Sequence, residues 1–362
     1  MNPTRLCGIE DRTIGLAFEE LSNDEMSKDP LISDPKSAIV NRQSSIGRSL
    51  WADARRRLWR DRWAMLCLAA IFVYALVAVG GSLYDVLAPR LHCPTFEEMK
   101  DYQHTNESPT LGSWDALTSR PWTSILGTDW AGRPVLIKTI LGAKVSMAVG
   151  LMSNIIAVPM GMLLGAIAGY YSGRFFRGGL FDDLIVWLYS TLSSVPGIIL
   201  LIAIKFAFKG RTFLGLDLGG IHGLYLALGA TSWIGTCRLI RAEVMKIREL
   251  DYVIAARASG RGSLAILTRH AMPNVMHIGI INFSLGFVGA VQAEVILSYL
   301  GLGVAVGTPS WGTMINSART DLFAGKWWEL SAAVTAMFIL VLALNIFGDR
   351  LRDALDPKLK NV

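Results

Sequence analysis

The sequence predicts an all-α polytopic membrane protein with six transmembrane helices. Three observations carry this reading. Of 362 residues 52% are hydrophobic and only 18% charged, and the mean hydropathy is +0.40, whereas an average soluble domain carries about 25% charged residues. Six stretches (Trp63–Leu83, Val145–Tyr171, Leu184–Ile204, Leu218–Cys237, Val275–Ala293 and Leu330–Gly348) hold no Asp, Glu, Lys or Arg, and each reaches the roughly 17–25 residues that cross a bilayer. Lys and Arg gather in alternate connections, as the positive-inside rule requires.

Residues 1–54 read as a polar cytoplasmic tail, acidic from Glu10 to Asp34, with no apolar signal-peptide core. Residues 55–83 combine a basic membrane-surface helix, ending in "RRRLWRDR", with the first span. Arg55, Arg56, Arg57, Arg60 and Arg62 put this end on the cytoplasmic side. Residues 84–142 form an extracytoplasmic loop, expanded around 92–120. Its middle, "HCPTFEEMKDYQHTNESPT", is polar and irregular; its end, "SILGTDWAGRPVLIKTILGAKVS", is expected to lie along the membrane surface. Residues 143–349 form the transmembrane domain, including a cytoplasmic loop 238–273 that carries Arg238, Arg241, Arg257 and Arg261. Residues 350–362 are a cytoplasmic tail, and an even number of spans leaves both termini inside.

Within the spans, Gly161, Gly165 and Gly169 mark a face for close helix approach, favouring a neighbour in the same chain. Pro159 and Pro196 are expected to kink their helices. An ion-coupled secondary carrier is expected to bury acids at mid-membrane, and these spans carry none. No P-loop, zinc motif or nucleophile elbow occurs, so no catalytic residue, bound metal or cofactor is assigned. His222 and His277 read as interfacial polar contacts, and Cys7, Cys67, Cys93 and Cys237 make no disulfide or metal pattern. The net charge of +6 sits beside apolar runs, which points to lipid and not to nucleic acid.

The segment "DYVIAARASGRGSLAILTRHAMPN" interrupts two apolar spans. Tyr252–Ala258 predicts a short helix. Gly260 is suited to a left-handed helix end, Ser263 to the cap of a second helix through Met272, and Pro273 to a change of direction. The expected product is a bent cytoplasmic finger whose Ala255 and Ala256 offer a smooth tip.

This spacing resembles the EAA loop of ABC-transporter permeases, with Ile254 at the position of the acidic residue and Met272 in place of the usual Leu. "LGTDWAGRPVL", with Pro134 in place of Asp, resembles an element of dipeptide, oligopeptide and nickel permeases of the C-subunit type. So do "GAKVSMAVG", "GAIAGYYSG", "EVILSYLGLG", "TPSWGTMINSAR" and "GDRLRDALDPK", which follow in order. The resemblance implies a type I ABC importer permease fold in a bacterial inner membrane. It implies a homologous second permease, two cytoplasmic ATPases that bind ATP and Mg, and an extracytoplasmic solute-binding protein. Di- or oligopeptides are the expected cargo, with nickel complexes or another small solute as the alternative. Ala255, Ala256, Arg257, Gly260 and Pro273 would couple to the ATPase. Gly127, Asp129, Glu294 and Trp311 are family-motif or pathway positions: Glu294 is expected to bond amides of the following "LGLG" turn, and Trp311 to anchor at the outer interface.

Overall fold

The computed structural model describes residues 50–91, 96, 98–110, 123, 125–173, 179–213, 215–304 and 307–355. The expected polar tail therefore lies almost wholly outside the described residues, as do Cys7, Cys93 and 356–362. The chain divides into a leading unit, Met1–Arg55, and a main unit, Arg56–Val362.

The architecture is helical. Helix α1 (Leu50–Arg60) is followed by α2 (Arg62–Leu91), α3 (Val135–Tyr171), α4 (Gly179–Ser193) and α5 (Gly197–Phe208). A two-residue hairpin, β1 (Thr212–Phe213) and β2 (Leu216–Asp217), leads to α6 (Ile221–Ile247), α7 (Asp251–Ala258) and α8 (Ser263–Ile266). A π turn, Leu267–Ala271, joins α8 to α9 (Met272–Tyr299), and α10 (Trp311–Phe323) and α11 (Trp328–Leu355) complete the chain. Asp61 separates α1 from α2: its Oδ1 accepts the Trp63 amide at 2.9 Å, capping α2, while its other oxygen lies 3.4 Å from Arg350 on α11.

Four helical runs among the described residues are long and apolar enough to cross a membrane: Arg62–Ala88, Val135–Tyr171, Ser263–Tyr299 and Trp328–Leu355. The expected third span is a broken pair, α4 and α5, meeting at 92°. Pro196 supplies no amide and caps α5 with non-helical backbone, φ −53° and ψ 128°, so the kink expected there is a full break. Pro159, by contrast, stays inside an unbroken α3. The expected fourth span falls on α6, whose His222, Thr231, Ser232 and Thr236 leave it less apolar than the four. The count of six is thus not reproduced as six straight apolar helices.

Two boundaries also move. Helix α2 continues past Leu83 to Leu91, and α3 begins at Val135, so 135–142 are helix and not a surface strip. Lys138 had interrupted the apolar run there; it is buried and ion-paired. Likewise Arg238 and Arg241 lie within α6, which runs on to Ile247 before the loop begins.

At 37 residues α3 is about 55 Å long and forms the axis of the bundle. Its glycine stripe faces α6. A Cβ on Gly161, Gly165 or Gly169 would lie 2.7, 2.5 and 2.6 Å from the carbonyl oxygens of Trp233, Cys237 and Arg241. Backbone meets backbone over about two turns, the intrachain use of such a stripe. Gly165→Leu should therefore pry α3 from α6 and cost about 1–3 kcal/mol through overpacking, read as a lower midpoint of thermal unfolding in detergent.

Trp311 is fully buried, not interfacial. Its Nε1 donates to the Thr139 carbonyl at 3.0 Å, and it stacks edge-on with Tyr74 at 6.0 Å. Only glycine at 142 leaves room for its ring, since a Cβ there would lie 2.7 Å from Trp311 Cδ1.

Candidate functional site

The finger is built by three residues of connection and one turn. Helix α6 ends at Ile247, and Leu250, in extended conformation, starts α7. Arg248 fixes the root: its Nη1 donates to the Gly169 carbonyl at 3.2 Å and to that of Ser172. These carbonyls end α3, where a helix has unpaired acceptors and favours a cation.

Helix α7 buries one side chain, Val253, against Ile247, Ile266 and Tyr170. Its other apolar residues face outward: Leu250, Tyr252 and Ile254 are 46%, 43% and 47% exposed, and Leu264 across the turn is 71% exposed. Ala255 is exposed beside them, while Ala256 is half-buried against the core. The Arg257 guanidinium sits 5.9 Å from the Tyr170 ring centroid, so it is turned back toward α3. Ile254, at the position of the family's acid, makes its contribution as exposed apolar surface.

The turn is a Schellman motif. Gly260 has φ +78°, its amide donates to the Arg257 carbonyl at 3.0 Å, and the Arg261 amide donates to that of Ala256 at 3.2 Å. Beyond it Gly262, not Ser263, occupies the cap position, and Ser263 is the first helical residue. The expected change of direction at Pro273 is absent: Ser263–Tyr299 is one continuous run. The π turn at Leu267–Ala271 makes room for the proline ring, which would otherwise clash with the carbonyl four residues back.

One contact braces the finger from the far side. Asn274 Nδ2 donates to the Tyr252 hydroxyl at 2.6 Å, and Tyr252 lies 6.2 Å from the His270 ring. Residues 22 apart in sequence show no periodicity that would pair them, so neither this brace nor Arg248 was legible.

The other four positions, Gly127, Asp129, Glu294 and Trp311, are not brought to the finger. Gly127 has φ +73°, and a Cβ there would lie 2.3 Å from the Glu107 carbonyl oxygen. The segment 101–107, expected as free loop, is docked on this turn: the Asn106 amide donates to Asp129 O at 3.0 Å and that of Thr128 to Glu107 O at 3.1 Å. Asp129 is fully buried. Its Oδ1 accepts the Ala131 and Arg133 amides, each at 2.9 Å; its Oδ2 meets Arg133 Nη2 and Lys138 Nζ, both at 2.9 Å. Lys138 also meets Glu329 at 2.6 Å. Arg133, Lys138 and Glu329 were not singled out from sequence.

Burial alone would raise the Asp129 pKa, but Lys138 and Arg133 outweigh it and hold the carboxyl below its ordinary value. A depressed folded-state pKa gives stability that is present above the unfolded value, about 3.9, and lost as pH falls through the folded one. Thermal unfolding should therefore show an acid-side loss of stability that shrinks in Asp129→Asn.

Glu294 is fully buried and accepts from the hydroxyls of Ser298 at 2.7 Å and Ser146 at 3.4 Å. The turn amides expected to bind it go elsewhere: those of Leu300, Gly301 and Leu302 donate to the carbonyls of Ile296, Ser298 and Leu297.

The family of binding-protein-dependent transport system inner membrane components matches residues 161–361, and the N-terminal TM domain of oligopeptide transport permease C matches 49–109. The chain is similar to a dipeptide transport system permease protein of Bacillus subtilis, 30% identical over 85% of this chain and 86% of the relative. It is 38% identical to a di/tripeptide transport system permease protein of Pseudomonas aeruginosa over 80% and 91%, respectively. A glutathione transport system permease protein of Pectobacterium atrosepticum is 32% identical over 89% and 95%.

Proposed function

This chain belongs to the family of binding-protein-dependent transport system inner membrane components and is a permease subunit of an ABC importer; on that premise we propose that it moves di- or oligopeptides. Relatives named for dipeptides, di/tripeptides and glutathione support a peptide cargo. An extracytoplasmic binding protein delivers the solute, a homologous permease completes the pathway, and two ATPases holding ATP and Mg drive it. The membrane is a bacterial inner membrane with both termini cytoplasmic, and α1 lies on the inner leaflet with Arg55, Arg56, Arg57 and Arg60 near lipid phosphate.

The observation that carries the coupling role is the exposed apolar face of the finger. Leu250, Tyr252, Ile254 and Leu264 form a water-facing patch on a polar side of the molecule, the kind of surface that a partner covers. Ala255, Ala256, Arg257 and Gly260 form the finger's body and turn. Pro273 sets its position through the π turn and Asn274, in place of the sharp bend first expected.

The subunit's part in transport is mechanical. A groove on the ATPase grips the patch; nucleotide binding changes the groove's position; the short link at Arg248–Leu250 passes that displacement to α6, and hence to α3. The finger must make different contacts in the two states, since equal contacts shift no equilibrium. The complex in proteoliposomes should take up a labelled dipeptide only with ATP inside and binding protein outside. Uptake that survives ATP depletion and follows a proton gradient would refute the reading.

A further inference from the structure

A broken helix is costly in a bilayer, because irregular backbone finds no water there to satisfy it. Helix α4 ends eleven residues along the chain from Asp182, roughly 16 Å of helix, and the break at Ser194–Pro196 follows inside the bent pair that makes up the third apolar span. Its surroundings are uncovered: Ser190, Thr191, Ser193 and Ser194 are all exposed, as is Pro196, beside the exposed apolar Val195, Ile198 and Ile199. The Ser194 hydroxyl turns back to the Thr191 carbonyl at 2.7 Å, yet the break is not buried by any described residue. Such backbone is tolerated at membrane depth only where protein covers it or water reaches it, and transporters place solute sites at such breaks.

A cation stands beside it. Arg238, on α6, donates from Nη2 to the Ser193 hydroxyl at 2.8 Å and lies 4.8 Å from the Tyr189 ring centroid. One turn away Arg241 is matched by Asp182, at 2.6 and 2.8 Å, which takes up the carboxylate of α4's first turn. Arg238 is exposed and makes no ion pair among the described residues. An unmatched charge beside a broken span marks a functional position, and a planar guanidinium presents the two parallel donors that fit a carboxylate.

We propose that the α4–α5 break and Arg238 form a station on the solute path that binds the C-terminal carboxylate of a peptide in transit. The carboxylate pairs with the guanidinium and accepts the Ser193 hydroxyl, which Arg238 holds in place; the exposed hydroxyls keep this part of the path wet. The proposal rests on the peptide-import reading for its ligand, and its anion preference stands independently of it.

The test uses the complete complex in liposomes, with the four native cysteines replaced and Ser194→Cys introduced. The thiol is treated with an anionic and a cationic methanethiosulfonate of similar size. Relative to a free thiol, the anionic reagent should react faster on the order of tenfold, the scale of electrostatic steering in a cleft. Arg238→Gln should erase that preference and Arg238→Lys should keep most of it. A peptide with a free C-terminus, delivered by the binding protein, should slow the reaction, and its C-terminal amide should not. A thiol inert to both reagents, or one that crosslinks to the second permease throughout the cycle, would show a covered interface and overturn the proposal. So would a reagent preference that Arg238→Gln leaves unmoved, or equal protection by the amide. If the complex imports no peptide, the peptide reading fails, while the reagent preference still decides whether Arg238 makes an anion site.

Discussion

Replacing Gly260 with Val is expected to lower solute uptake roughly 5–30-fold, the factor that corresponds to a 1–2 kcal/mol bias of the turn away from its left-handed form. ATP hydrolysis and the amount of protein in the membrane should fall far less. The two Schellman hydrogen bonds exist only while residue 260 holds φ near +78°. Nothing lies within 4 Å of where a Cβ would stand, so the lesion is conformational and does not disturb packing. Gly260→Asn should retain most uptake, because Asn tolerates the left-handed region. Uptake and hydrolysis measured side by side in proteoliposomes check this, and normal transport by the Val variant at normal protein level would remove Gly260 from the coupling machinery.

The second large effect is expected at Lys138→Met. One ammonium group sits between two buried carboxylates, 2.9 Å from Asp129 and 2.6 Å from Glu329. Arg133 still compensates Asp129 after the change, but Glu329 keeps only the Ser317 hydroxyl at 3.0 Å. An uncompensated buried charge costs about 3–5 kcal/mol, enough to deplete the folded protein. Glu329→Gln in the same chain should recover much of the loss by removing the stranded charge. Thermal stability of the single and double variants in detergent decides it, and a double variant no better than the single would disprove the account.

The spans were legible because lipid forces each crossing segment to satisfy its own backbone, which leaves a long apolar run in the sequence. The finger was legible because a left-handed position calls for glycine, and Gly260 stands at the right interval. What escaped the sequence depends on partners distant along the chain. Lys138 looked like the end of an outer loop, yet Asp129 and Glu329 neutralise it inside α3's first turns. Arg241 looked like part of a loop, yet α6 runs on through it to Ile247 and Asp182 pairs with it. Trp311 has the composition of a membrane-belt aromatic, and only the gap at Gly142 reveals it as core. Pro273 signals a bend by its own chemistry, and the widened turn that absorbs it leaves no mark in composition.

The backbone contact of α3 with α6 has a consequence for how this subunit can open. Two rods touching at their spines over about two turns, with side chains of both interlocked on either flank, tilt together as one mast. Motion entering at the finger is then carried along the height of that mast, past the 92° elbow of α4 and α5.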